Sequence, residues 1–378
     1  MATTYPNTPG VQIIEVRLGA PPIAGVGTST AGFVGKAPKP GVFPEPRLVT
    51  SADQFTADYI ADATASTDLS HAVLGFFANG GTNCYVIDVD TAAAANVVAG
   101  LKKLEVIDEI AIIAAPGQTD NSVFTELEDQ ATRTGDRFAL LDPPAKVADL
   151  ANLKKGGANR PPDSPYAAFY YPRVQVAGRL ADDPDKSYIT PVGHIAGTYA
   201  RVDAARGVHK APANEKLMGV LGVEHALTDA DQNTLNVDGV NLLRVKSGQV
   251  VVWGARTLLA SDAADKTFLY VNVRRLVNYV EESLQEGLGF AVFEPNSLAL
   301  RQTITRSVRG FLDGVWRDGA LFGATPDEAY YVRFPEMFNR DEDRALGKLT
   351  VEIGLRVTYP AEFIIVRIGL LMQSAAAA

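Results

Sequence analysis

Three short runs decide the fold: Cys84-Tyr-Val-Ile-Asp-Val89, Ile110-Ala-Ile-Ile-Ala114 and Arg137-Phe-Ala-Leu-Leu141. Each is rich in apolar residues and has the length of a single buried strand. Between them lie Ala92–Lys103 and Ser122–Arg133, both patterned as helices. Upstream, Thr30–Val34 reads as a strand and Asp68–Ala78 as a helix. Strands separated by helical segments of about 10–15 residues require crossover connections, which predicts an α/β domain with a mainly parallel sheet.

Downstream of this block the signals change. Residues 154–166, with three prolines and a Gly-Gly pair, read as a loop, Pro191–Arg206 as a helix, and 207–217 as a polar connection. The last third is clearer. Val271–Glu286 carries apolar residues at 273, 276, 277, 280 and 284, the stripe of an amphipathic helix. Phe290–Phe293 is expected to be a short strand. A second helix starts after Asn296 or Ser297, either of which can cap it, and runs to about Trp316. Ile304, Val308, Phe311, Leu312 and Val315 form its expected buried face. Leu349, Val351, Ile353, Leu355 and Val357 alternate with polar residues as a half-buried strand does, Pro360 interrupts, and Phe363–Leu371 reads as a final hydrophobic strand.

The front of the chain differs from both. The first 50 residues hold eight prolines and one strand-like run, Val11-Gln-Ile-Ile-Glu-Val-Arg-Leu18. The apolar positions Val11, Ile13, Ile14, Val16 and Leu18 slip phase once, as at a bulge or a change of partner face. Pro21-Pro22 then rules out continued pairing in a sheet interior. This predicts an extended arm on a proline-limited linker, or an edge strand of its own domain.

Composition excludes several classes. The 378 residues are 47% hydrophobic and 21% charged, which fits a folded chain. The net charge of −9 argues against a general nucleic-acid binder. The single cysteine, Cys84, excludes an internal disulfide framework and a cysteine-rich zinc site. His71, His194, His209 and His225 form no metal-ligand pair by spacing. The most hydrophobic candidate, Phe363–Met372, is broken by Arg367 and too short to span a membrane. Met1–Pro6 lacks the basic and apolar regions of a signal peptide.

Chemistry-bearing motifs fail on spacing. Gly25–Lys36 is glycine-rich, but Thr30 stands where a phosphate-binding loop and a dinucleotide fingerprint each need glycine, and Ala37 replaces the magnesium-binding hydroxyl residue. Cys84 sits in a core-strand context. Asp341-Glu-Asp343 lacks calcium-loop spacing. Asp88 and Asp90 lie at a strand end, where α/β enzymes place carboxylates, yet nothing in the sequence converges on them. The expectation is no catalytic residue, cofactor or metal. One charge feature remains. Residues 297–317 hold four arginines and one aspartate, and at 3.6 residues per turn Arg306, Arg309, Asp313 and Arg317 share a face about 80° wide. It is either a self-paired solvated face, with Asp313 bridging Arg309 and Arg317, or a docking stripe for an acidic partner.

Several stretches, in order, carry a resemblance. They are Pro9–Val16, Ile23–Gly35, Phe76–Val86, Val252–Leu258, Tyr270–Leu276, Phe293-Glu-Pro-Asn296, Gly319–Ala329 and Gly347–Gly354 leading to Pro360-Ala-Glu-Phe363. Together they resemble contractile tail sheath proteins, as found in contractile-tailed phages, R-type pyocins and phage-like extracellular contractile injection systems. The resemblance implies a structural subunit that polymerises helically around an inner tube and contracts from a metastable extended state, driving the tube through a target envelope. It implies an arm and linker over 1–26, an outer α/β domain over 27–255, and an inner α+β domain over 256–378 built with the N-terminal arm and ending in a C-terminal strand arm. Arm strands Val11, Ile13, Ile14, Val16, Leu18 and Phe363, Ile364, Ile365, Val366 are expected to pair with a neighbour's sheet at Leu349, Val351, Ile353 and Leu355. Arg306, Arg309 and Arg317 are expected to face the tube, and Gly19, Pro21, Pro22 and Gly25 to form a hinge. Implied partners are further copies of the chain, the tube protein, and baseplate and terminal cap proteins, with no nucleic acid and no membrane insertion. Assembly in a bacterial cytoplasm is implied. Two other readings stay open: a non-contractile assembly protein and a Rossmann-like α/β enzyme.

Overall fold

The computed structural model describes residues 22–363 apart from 40, 42, 62, 64, 178–187 and 261. The expected arm residues Val11, Ile13, Ile14, Val16, Leu18, Ile364, Ile365 and Val366, and Gly19 and Pro21 of the linker, lie outside the described residues.

In chain order the first half comprises β1 (Ala31–Gly35), β2 (Arg47–Val49), α1 (Ala52–Phe55), α2 (Asp68–Ala78), β3 (Cys84–Asp88), α3 (Ala94–Leu104), β4 (Ile112–Ala114), α4 (Asn121–Thr134), β5 (Phe138–Leu141) and β6 (Ala167–Tyr171). Then come β7 (Val174–Val176), β8 (Tyr188–Ile189), α5 (Val192–Arg206), β9 (Glu215–Lys216), β10 (Val220–Val223), α6 (Asp229–Asn236), β11 (Val240–Lys246) and β12 (Gln249–Trp253). The last third holds α7 (Val271–Gly287), α8 (Leu298–Arg317), α9 (Pro326–Ala329), β13 (Tyr330–Arg333), α10 (Asp341–Ala345) and β14 (Glu352–Leu355).

A nine-stranded sheet in the order β2-β3-β1-β4-β5-β6-β11-β12-β9 forms the large domain. Its middle, from β3 to β11, is parallel, and β2, β12 and β9 join antiparallel. Successive strand residues face opposite layers. Phe33, Val86, Ile112, Leu140 and Tyr170 pack with α2 and α5 on one side. Val34, Ile87, Ile113, Leu141 and Tyr171 pack with α3 and α4 on the other. That two-sided burial is why these strands read as continuous apolar runs. The helices start where the chain can satisfy their free N–H groups: Thr67 and Ser70 form a capping box on α2, and Asp120 caps α4. α2 and α5 cross at unusually close range, since a Cβ on Gly193 would stand 2.0 Å from the Ala72 carbonyl oxygen.

A second, smaller core joins α7, α8, β13 and β14. Leu276 and Val280 meet Ile304, Val308, Phe311, Leu312 and Val315, with Leu349, Val351, Ile353, Leu355 and Val357 packed against them. The buried face of α8 is the one its periodicity predicts, and Ser297 accepts the capping bond from Leu300 N–H at 3.2 Å. Helix α7 belongs to both domains, because Val271 enters the large core while Leu276 and Val280 enter the small one. Leu258 also packs in the large domain, so the expected division at 255/256 falls ahead of residues that remain with the sheet. The expected strand at Phe290–Phe293 is instead a 3-10 turn, Gly289–Ala291, followed by Phe293 at φ 67°, fully exposed. Seven further strands, β6–β12, lie between 167 and 253, where the sequence reading assigns no strand.

Candidate assembly surfaces

The two-stranded antiparallel sheet of the small domain pairs Tyr330 with Leu355, Val332 with Ile353 and Arg333 with Glu352. Among the described residues each strand therefore has one neighbour and one unpaired edge. The Arg356 N–H donates to the Ala329 carbonyl at 2.8 Å, which sets the phase of the ladder. With antiparallel alternation, the N–H and C=O groups of Ile353 and Leu355 then point away from β13. Their side chains meanwhile seal the small core. Of the expected receiving residues, Ile353 and Leu355 lie in β14 and Leu349 and Val351 precede it; all four pack against the small core, and the outer edge of β14 is unpaired among the described residues. Such an edge is a template for another strand.

On α8, Arg306, Arg309 and Arg317 are all exposed beside the buried face. Asp313 does not bridge them as expected. It accepts the Tyr330 hydroxyl at 2.6 Å, tying α8 to β13, and Arg309 reaches Asp327 at 3.8 Å instead. The carboxylate is used inside the small domain, which leaves the arginine row more positive outward than its sequence implies. Together with burial, that bond to Asp313 raises the Tyr330 hydroxyl far above its ordinary range.

The expected linker is docked from Ile23 onward. Ile23 is 7% exposed in the small core. Gly25 lies so close to Tyr279 that a Cβ would meet its hydroxyl at 2.1 Å. Val26 N–H donates to Ser283 Oγ at 3.1 Å. The Thr28 hydroxyl donates to Asp203 Oδ2 at 2.7 Å, and Arg275 donates to the Thr28 carbonyl at 2.8 Å and to Asp203 at 2.6 and 3.0 Å. Both partners of this ion pair are almost wholly buried. Gly25 is therefore packed close against Tyr279; it and Pro22 are the named linker residues that the structure describes, and both are exposed. At the other end Phe363 is 71% exposed.

One polar feature was invisible in the sequence. Asp108, Glu282 and Glu286 bring carboxylate oxygens within 4.8 Å of one another, from segments far apart in the chain. Burial, then the charges of Asp108, Asp136 and Glu286, raise the Glu282 carboxyl. Asp88 is spent on the fold, accepting the Ala37 N–H at 2.7 Å. Cys84 is buried in β3, and burial pushes its thiol far up, which disfavours the thiolate. No helix among the described residues is long and apolar enough to cross a membrane.

Comparison with known proteins agrees with this architecture. Residues 90–258 match the family described as phage tail sheath protein central domain, and 263–370 match the phage tail sheath C-terminal domain. The tail sheath protein of Burkholderia phage BcepMu is 30% identical over 264 residues, covering 66% of this chain and 53% of that protein. The tail sheath protein of Escherichia phage P2 is 30% identical over 183 residues, covering 45% of this chain and 42% of that one. The chain thus spans about half the length of these curated relatives. Among solved structures, the contracted sheath of the PVC extracellular contractile injection system superposes with a TM-score of 0.80 at 28% identity, covering 97% of this chain and 98% of that one. The contracted helical sheath of the anti-feeding prophage gives a TM-score of 0.75 at 28% identity, covering 97% and 99%. With successive sheath domain families matched along most of its length and the whole fold shared with contractile sheaths, the chain belongs to the phage tail sheath family.

Proposed function

We propose that this chain is the subunit of a contractile sheath. Copies polymerise into a helical sleeve around an inner tube and, on a signal from the baseplate, contract from a metastable extended state to drive the tube through a target envelope. The observation that carries the reading is the outer edge of β14, unpaired among the described residues, on a domain held together by α8, with exposed residues, Pro22 and Phe363, at the two ends of the described chain. A strand from another copy, Val11–Leu18 or the one beginning at Phe363, suits this edge. Main-chain hydrogen bonds give affinity there without fixed side-chain docking. Arg306, Arg309 and Arg317 form the surface offered to an acidic tube. No residue has a catalytic role, and no nucleotide or metal is needed. The particle is a phage tail or a tail-like device assembled in a bacterial cell, with baseplate and cap proteins as further partners.

The test is co-expression with the tube and baseplate proteins followed by electron microscopy. Tube-filled sleeves that shorten on triggering are expected. A compact oligomer of fixed size, or stoichiometric nucleotide in a native mass spectrum, overturns the reading.

A further inference from the structure

The chain leaves the small domain at Thr358, whose N–H and hydroxyl bond the Ala320 carbonyl at 3.1 and 2.6 Å. Four residues later the large domain takes it up again. Glu362 Oε1 accepts from Asn236 Nδ2 at 2.7 Å and Arg256 Nε at 3.0 Å. Its Oε2 accepts from Arg256 Nη2 at 2.7 Å and the Tyr270 hydroxyl at 2.9 Å. A two-pronged arginine–carboxylate pair of this kind is strong and fixes direction as well as distance. Every donor belongs to the large domain or to the start of α7.

Arg256 is itself immobilised. It is 8% exposed, and its Nη1 donates to the Asn236 carbonyl at 3.0 Å. Its backbone is held from both sides by the Asn241 amide, N–H to Oδ1 at 2.7 Å and C=O from Nδ2 at 2.7 Å. Asn241 is fully buried in β11 and also donates to the Phe169 carbonyl of β6 at 3.3 Å. An unbroken series of bonds therefore runs from Glu362 into the nine-stranded sheet. The pair lines an interdomain groove of about 780 Å³ beside Trp253, Tyr270 and Tyr359, where reduced access of water strengthens it.

We propose that Glu362 is a latch that fastens the root of the C-terminal segment to the large domain, so that a pull on the chain beyond Phe363 moves the sheet rather than the small domain alone. The proposal rests on the sheath reading, in which that segment joins neighbouring copies. Burial acts to raise the Glu362 carboxyl, but the bonds from Arg256 and Asn236, the Arg256 charge and the Tyr270 hydroxyl outweigh it and hold the group below the ordinary carboxylate range. The latch is charged at neutral pH.

Glu362→Gln removes the charge while keeping the shape, and its amide nitrogen turns one acceptor into a donor facing other donors. Arg256→Lys keeps the charge but loses the two-pronged contact. In the free subunit, hydrogen exchange of residues 359–363 is expected to speed up roughly tenfold or more in Glu362→Gln and by less in Arg256→Lys, with global unfolding little changed. In triggered particles, the fraction of shortened sleeves is expected to fall at least several-fold in Glu362→Gln. Unchanged exchange overturns the latch, as does wild-type contraction despite fast exchange. Failure of Glu362→Gln to fold also overturns it, since the pair would then be a core contact. If the wild type itself forms no sleeves, the sheath reading fails, and the exchange result still decides whether Glu362 fixes this segment.

Discussion

Proline at Ile353 perturbs the open edge at one donor. Ile353 and Leu355 together offer about four outward backbone groups, and a strand laid along them gains about 0.5–1.5 kcal/mol net per bond. Ile353→Pro deletes one N–H and leaves the incoming carbonyl facing a ring with no donor, which costs about 1–3 kcal/mol more. The combined loss, about 1.5–4.5 kcal/mol for each subunit contact, corresponds to a roughly 10- to 2,000-fold rise in the concentration needed for polymerisation. The subunit itself tolerates the change, because the lost N–H points away from β13 and proline is accepted on strand edges. Ile353 also packs on the small core, so Ile353→Ala, which keeps the N–H, isolates the packing loss. Sedimentation of assembled against free protein over a concentration series measures the threshold. The reasoning fails if the proline and alanine variants polymerise at the same concentration.

Arg306→Glu combined with Arg309→Glu should leave folding within about 0.5 kcal/mol, since both are exposed, but reduce the yield of tube-filled sleeves, most strongly at low salt. Burial, then Asp129, raises the Glu128 carboxyl to about 8, with Arg160 opposing. The folded chain then holds a proton that the unfolded chain has lost. The stability tied to Glu128 is full below the ordinary glutamate range and falls by at most about 1.4 kcal/mol per pH unit as pH rises towards 8. Urea unfolding at pH 5 and pH 8 should show that Glu128→Gln flattens this slope. Gly193→Ala should lower the melting temperature, by the equivalent of about 1–3 kcal/mol, because its methyl group meets the Ala72 backbone. Gly314→Ala, in open space on α8, should raise it slightly.

The sequence made some of this visible and hid the rest for physical reasons. Strands β1, β3, β4 and β5 were legible because burial on both faces makes each a continuous apolar run between helical segments. The stripe of α8 and the alternation at 349–357 were legible because one face is buried and the other is not. Strands β7, β8 and β9 have two or three residues each, too few for any period to show. The exposed Phe293 looks apolar enough for a strand, but its left-handed backbone ends the turn instead. Asp313 sits at ion-pair spacing from Arg309 and Arg317 on its own helix, yet Tyr330, brought over it by tertiary packing, takes it. The anchors Thr28–Asp203–Arg275 and Arg256–Glu362 join residues 72 to 247 and 106 positions apart, distances over which local pattern carries no information. Gly25 reads as a flexible hinge because glycine is permissive, whereas here it is needed for close approach to Tyr279.

Electron cryo-microscopy of particles assembled from this chain, imaged before and after triggering, tests the central claim most directly. The account predicts a sleeve that shortens on triggering, with a strand from another copy paired to the Ile353–Leu355 edge of β14 in both states. A sleeve of one fixed length, or a β14 edge left bare in the assembled particle, would contradict it.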